Sequence, residues 1–232
     1  TVVRDLLPEG TAPEMVRLAR SQVSRWKNRA MAVGETSVSF DSGGEAAVWQ
    51  LYGKYQEHLR NLNAVDFDDL ILQALRALQD ENIRLQWQHR IRYLLVDEYQ
   101  DTNETQYRML RLLAGDDGRL TVVGDDDQSI YGWRGAQPEN LQQLSVDYPG
   151  LNVVKLEQNY RSCGTVLKAA NALIANNPHA IEKRLWSALG EGEVIRVVPC
   201  ADEKEEAAMI AAEILHRKIS SRGYWGDFAV LY

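Results

Sequence analysis

The chain has 232 residues, 45% hydrophobic and 25% charged, enough to bury the core of one or two domains. A formal net charge of −7 excludes a general coating protein for polyanions, which needs many Lys and Arg to neutralise phosphates, yet leaves room for one local nucleic-acid groove. Cys163 and Cys200 have no metal-ligand spacing, and no apolar stretch approaches the roughly 20 residues that span a bilayer; the composition therefore predicts a reduced, cytoplasmic setting without a membrane anchor.

Three helices are expected first, over residues 13–31, 45–62 and 67–78, where apolar residues recur at three- and four-residue intervals. They predict an N-terminal helical subdomain over residues 1–79, with the Gly- and Ser-rich stretch 33–44 as a mobile loop. Asp66-Phe67-Asp68-Asp69-Leu70 opens the third helix, and its acidic first turn suits the positive end of the helix dipole, so capping accounts for these carboxylates. From Arg92 onward, short apolar runs at 93–96, 120–123, 153–156, 194–198 and 228–231 alternate with helical patterns at 104–113, 138–147, 165–175 and 204–219. That alternation predicts an α/β fold with a parallel sheet covered by helices.

The run Leu94-Leu95-Val96 ends abruptly in Asp97-Glu98. Ligands of open α/β sheets bind beyond the carboxyl ends of the strands, so this pair falls where a nucleotide site would lie. There Asp97 suits a hydrated Mg²⁺ shared with phosphates, and Glu98 suits the orientation or deprotonation of a water; a solvated turn uses the same residues without chemistry. The adjacent Asp125, Asp126 and Asp127 look like a cation trap, but in an extended segment neighbouring side chains point in opposite directions, so the three are not expected to face one ion. Tyr131 and Trp133 flank Gly132, with Arg134 beside them, and two aromatics at i and i+2 offer a stacking surface for bases; core packing is the structural alternative. The remaining tryptophans, Trp87 among them, lack that setting and are expected to be structural or surface-anchoring.

Three blocks, DEYQDTN at 97–103, VGDDDQSIYGWRGA at 123–136 and LEQNYRS at 156–162, resemble in order and spacing motifs II, III and IV of superfamily-1 DNA helicases of the Rep/UvrD type. The resemblance implies RecA-like motor pieces of the P-loop NTPase type, with residues 80–155 in the first motor domain, a second beginning at 156, and residues 1–79 as a helical insertion. It implies ATP and Mg²⁺ as cofactors, with Asp97 on the metal, Glu98 on the attacking water, Gln128 as γ-phosphate sensor, Arg161 reaching the γ-phosphate and Tyr160 stacking on adenine. It also implies that Tyr131, Trp133 and Arg134 bind DNA, that single-stranded DNA and DNA junctions are the partners, and that translocation runs 3′ to 5′. No G-x-x-x-x-G-K-[ST] loop occurs in the sequence, and the first residue is Thr1, so the chain is expected to be an internal piece of a larger helicase whose phosphate loop lies upstream. Two other readings remain open: a non-hydrolysing nucleic-acid- or partner-binding module, and a metal-dependent nuclease built on the acidic cluster.

Overall fold

A computed structural model describes residues 2–34, 40, 43–177 and 182–231. Two compact units divide the chain: unit 1 is Thr1–Glu157 with Ile174–Arg184, and unit 2 is Gln158–Leu173 with Leu185–Tyr232. The expected mobile loop at 33–44 falls largely outside the described residues. No described helix is long and apolar enough to cross a membrane.

Unit 1 begins with helices α1 (Val2–Asp5), α2 (Pro13–Asn28), α3 (Gly43–Asn61) and α4 (Phe67–Gln79). The apolar stripes of α1, α2 and α3 close two small cores, one around Val3, Val16, Ala19 and Leu51, the other around Val23, Trp26 and Tyr52. In the second, Trp26 meets Trp49 edge to face with centroids 4.9 Å apart, the arrangement that ring quadrupoles favour. Asp66 caps α4 in the expected way: its carboxylate accepts from the Asp69 N–H at 2.8 Å, and Asp69 reaches back to complete a capping box.

Helix α5 (Glu81–Arg90) was not expected from the sequence. It buries none of its residues, so it has no apolar stripe to show; its start is set by Asp80, whose side chain accepts from the Ile83 N–H at 3.1 Å. Strands β1 (Leu94–Val96) and β2 (Leu120–Val122) then pair in parallel, with Leu94 opposite Leu120 and Val96 opposite Val122. Helices α6 (Glu104–Ala114) and α7 (Glu139–Asp147) cover one face of the pair, where Tyr99, Tyr107 and Leu144 form the core with Val96, Leu120 and Val122. The crossover from β1 through α6 to β2 is the βαβ unit that parallel pairing requires.

Helix α6 also joins the sheet to the helical residues. The buried Thr105 hydroxyl donates to the Lys27 carbonyl at 2.6 Å and accepts from the Ala30 N–H at 2.8 Å, which ties α6 to the end of α2.

Unit 2 holds α8 (Gly164–Ile174) and α9 (Glu203–Ser221). Asp202 caps α9 by accepting from the N–H groups of Lys204 and Glu205. The runs 153–156, 194–198 and 228–231 were expected as strands, but among the described residues they carry no ladder. A strand exists only with a partner, and Leu156 and Val197 remain 80% and 90% exposed; apolar content alone does not supply a neighbour.

Candidate functional site

The two parallel strands end at one edge of the sheet, and backbone hydrogen bonds clasp the segments that follow them. Val123 N–H donates to the Val96 carbonyl at 2.8 Å, and Tyr99 N–H donates to the Val123 carbonyl at 3.0 Å. Between these bonds the chain turns sharply at Glu98, whose φ of 50° is left-handed. For a residue other than Gly this costs about 1–3 kcal/mol, and such strain persists where surrounding structure holds it, often at functional sites. The turn leaves both Asp97 and Glu98 exposed at the sheet edge.

Beneath them lies the buried Gln100. Its amide nitrogen donates to Glu98 Oε2 at 2.7 Å, and its Oε1 accepts from the Asp125 N–H at 3.0 Å. Asp125 in turn accepts from Gln128 Nε2 at 2.6 Å. Glu98 and Gln128 therefore sit at the two ends of one hydrogen-bonded path. Close approach explains Gly124: a Cβ there would lie 2.8 Å from Gln100 Oε1, displacing the amide at the middle of the path. Local sequence reading missed Gln100, because its role depends on a partner 25 positions away.

The three aspartates face one point, contrary to expectation. Residues Asp126–Gln128 form a 3-10 turn capped by Asp125, not an extended segment, and carboxylate oxygens of all three lie within 4.8 Å of one another. Lys183 occupies their focus, with its ammonium 2.5 Å from Asp125, 3.0 Å from Asp127 and in contact with Asp126. Burial alone would raise the Asp125 pKa, but the Lys183 and Gln128 hydrogen bonds outweigh it and hold the carboxyl below its usual range.

A second 3-10 turn, Gly132–Arg134, carries the aromatic pair. The Tyr131 and Trp133 ring centroids are 6.3 Å apart, and the Arg134 guanidinium lies 4.7 Å from the Trp133 centroid and 5.8 Å from that of Tyr131. Trp133 is 70% exposed and Tyr131 39%, an arrangement unlike core packing. The turn is anchored from below. Gly135 has a φ of +87° and packs so closely on α2 that a Cβ would lie 3.2 Å from Asn28 Cβ. Gln137 N–H donates to the Thr102 carbonyl at 2.9 Å, and the buried Asn140 amide donates to the same carbonyl at 3.0 Å. Asn103, which caps α6, donates to Asn28 Oδ1 at 2.7 Å. The aromatic turn and the segment after Glu98 thus rest on one buried polar scaffold.

Tyr160 and Arg161 lie in unit 2. Asn159 Oδ1 accepts from the N–H groups of Arg161 and Ser162, forming a tight turn that leaves both Tyr160 and Arg161 exposed. Tyr160 is 78% exposed, and its hydroxyl donates to Gln158 Oε1 at 2.9 Å. An exposed ring is available for stacking. A groove of about 940 Å³ in unit 1, lined by Leu75, Arg84, Tyr107, Arg111 and Asn140, contains none of the candidate residues.

Residues 3–149 match the UvrD/REP helicase N-terminal domain, and residues 154–232 match the UvrD-like helicase C-terminal domain. The chain is 50% identical over 213 residues to the ATP-dependent DNA helicase Rep of Escherichia coli strain K12, which covers 91% of this chain and 32% of that protein. It is 39% identical over 217 residues to the ATP-dependent DNA helicase PcrA of Leuconostoc citreum, covering 93% of this chain and 29% of the relative. With the DNA helicase II of Rickettsia typhi the identity is 38% over 230 residues, covering 98% and 34%. The chain spans about a third of the length of these curated relatives.

Proposed function

The chain belongs to the UvrD/Rep helicase family, and from that membership we propose that it is the central part of an ATP-dependent DNA helicase that moves 3′ to 5′ along single-stranded DNA. In this reading residues 1–79 are the helical insertion of the first motor domain, 80–155 belong to that domain, and 156–232 begin the second. The observation that carries the proposal is the hydrogen-bonded path from Glu98 through Gln100 and Asp125 to Gln128, next to the exposed Tyr131–Trp133 turn.

Phosphoryl transfer asks a protein chiefly for positioning and for neutralisation of charge. Asp97 fits one ligand of a Mg²⁺ ion that keeps most of its waters and takes its other oxygens from phosphates, which is how that ion usually binds. An exposed carboxylate at a strand end is the right donor type for it. The Mg²⁺ would neutralise charge on the phosphates. Glu98 orients the attacking water and accepts its proton. Gln128 has one N–H committed to Asp125, which leaves its second N–H for a γ-phosphate oxygen and its Oε1 for the water. Arg161 supplies positive charge to the γ-phosphate, and Tyr160 stacks on the adenine.

Tyr131, Trp133 and Arg134 bind single-stranded DNA, including the single strand at junctions. Stacking suits a motor that steps over every base, since each base has a π-face while hydrogen-bond readout would stall on the wrong one. Coupling follows from the chain itself: the aromatic pair begins at Tyr131, three residues after Gln128, so motion of one end pulls on the other.

Trp133→Ala in the complete enzyme is expected to weaken single-strand binding by about 1–3 kcal/mol, similarly for different base compositions. It should lower DNA-stimulated ATP turnover as well. Trp87→Ala is the control, since Trp87 lies on α5 with Arg90 over its ring. Fluorescence anisotropy and phosphate release measure the two effects. Unchanged binding in Trp133→Ala together with a loss in Trp87→Ala would move the DNA groove elsewhere, and a complete protein that binds DNA without hydrolysing ATP would be a binding module.

A further inference from the structure

Lys183 lies 58 positions from Asp125, yet it belongs to the same unit and fills the centre of the Asp125–Asp127 turn. Its side chain is only 20% exposed. Three carboxylates this close repel one another, and each makes ionisation of the others harder. A single ammonium offers three N–H donors and no acceptor, which matches one bond to each carboxylate.

The consequence reaches Gln128 through Asp125. One oxygen of Asp125 accepts from Lys183 at 2.5 Å and from the Asp127 N–H at 3.1 Å; the other accepts from Gln128 Nε2 at 2.6 Å. Lys183 and the Asp127 N–H together hold the first oxygen, and in that orientation the second oxygen faces Gln128. We propose that Lys183 is a positioning residue for ATP hydrolysis, fixing Asp125 so that Asp125 holds the Gln128 carboxamide in the orientation that meets the γ-phosphate. The role rests on the reading of Gln128 as the γ-phosphate contact.

Lys183 touches neither nucleotide nor DNA in this scheme, so its loss affects turnover more than binding. In the complete enzyme, Lys183→Met is expected to lower kcat at saturating ATP and single-stranded DNA by about tenfold, the size of one lost charge-assisted hydrogen bond, with little change in KM for ATP. Lys183→Arg, which keeps the charge, should retain most of the rate. The pH profile is the sharper readout. Without the ammonium, Asp125 loses the partner that holds its pKa down beside two other carboxylates, so lowering the pH from about 8 to about 6 favours a proton where the cation was and restores part of the activity of Lys183→Met relative to the unsubstituted enzyme. Lys183→Met combined with Asp126→Asn, which has one carboxylate fewer to repel, keeps the test readable if the single variant folds poorly; its rate should exceed that of Lys183→Met. An unchanged kcat in Lys183→Met overturns the role, as does a loss that is the same at every pH and is shared by Lys183→Arg. If the unsubstituted enzyme shows no DNA-stimulated turnover, the helicase reading fails and takes this role with it; normal turnover with an unaffected Lys183→Met removes the role alone.

Discussion

Glu98→Gln in the complete enzyme is expected to reduce DNA-stimulated ATP turnover by about 10²–10⁴-fold while leaving nucleotide binding nearly intact. The substitution keeps the size of the side chain and retains an oxygen that can accept from Gln100, whose amide lies 2.7 Å from Glu98 Oε2. What it removes is the ability to take a proton from the attacking water. The backbone should tolerate the change, because Gln meets about the same cost as Glu at a φ of 50°. Gln100→Leu makes a useful comparison: it leaves the Glu98 carboxylate in place but cuts the path to Asp125 and leaves the Asp125 N–H without its 3.0 Å acceptor. A smaller loss is expected there, about 1–3 kcal/mol in the activation barrier, from misplacement and not from missing chemistry. Phosphate release at saturating ATP and DNA, together with binding of a fluorescent nucleotide, separates the cases. If Glu98→Gln turned over as fast as the unsubstituted enzyme, Glu98 would be a solvated turn residue.

The parts of this site that were legible in the sequence are those that depend on local pattern. An apolar run that stops at a carboxylate pair announces a strand and its exposed end, and β1 with Asp97 and Glu98 follows that pattern, although Leu95 at the middle of the strand is itself exposed. An acidic residue before an amphipathic run announces a helix start, as Asp66 does for α4. Long-range partners leave no such trace. Gln100 is one polar residue inside a short turn until Asp125 is placed beside it, and nothing near Lys183 in the chain points to the three aspartates. The expectation that Asp125, Asp126 and Asp127 diverge assumed an extended backbone; the 3-10 turn that Asp125 caps makes them converge. The absent ladders at 153–156 and 194–198 have a related cause: the apolar content of a segment records its need for burial, while the pairing that makes it a strand depends on residues elsewhere.

A large stability effect is expected at Lys27, where the helical residues meet the start of α4. Its side chain is fully buried, with the ammonium 2.6 Å from Asp66 Oδ2 and 2.9 Å from Asp69 Oδ1. Tyr55 donates its hydroxyl to Asp66 at 2.8 Å, and Gln56 donates to Asp69 at 2.9 Å. The Tyr55 ring centroid lies 5.0 Å from the ammonium, so the cation is held by an aromatic face as well as by two carboxylates. Lys27→Met preserves the stem but strands two carboxylates, one of them almost wholly buried, and should cost about 3–5 kcal/mol near neutral pH, the typical penalty for breaking a buried pair from one side. The dependence on pH distinguishes this from simple loss of packing. In the unsubstituted protein burial opposes ionisation of Asp66, but the Lys27 hydrogen bond and the α4 amide hold its pKa below the ordinary value. A depressed carboxylate stabilises the fold above its unfolded pKa of about 3.9, and that contribution is lost only as the pH falls through the lower folded value. In Lys27→Met the cation is gone and the two carboxylates face each other in a partly buried site, so the folded Asp66 pKa is no longer held down and protonation relieves the variant. Its deficit should therefore shrink as the pH is lowered from about 7 to about 5, a range in which Asp66 of the unsubstituted protein stays ionised. Denaturant unfolding followed by tryptophan fluorescence, which reports on the Trp26–Trp49 core beside this pair, measures both curves. A deficit that stays constant across that range would mean that Lys27 contributes packing and not charge.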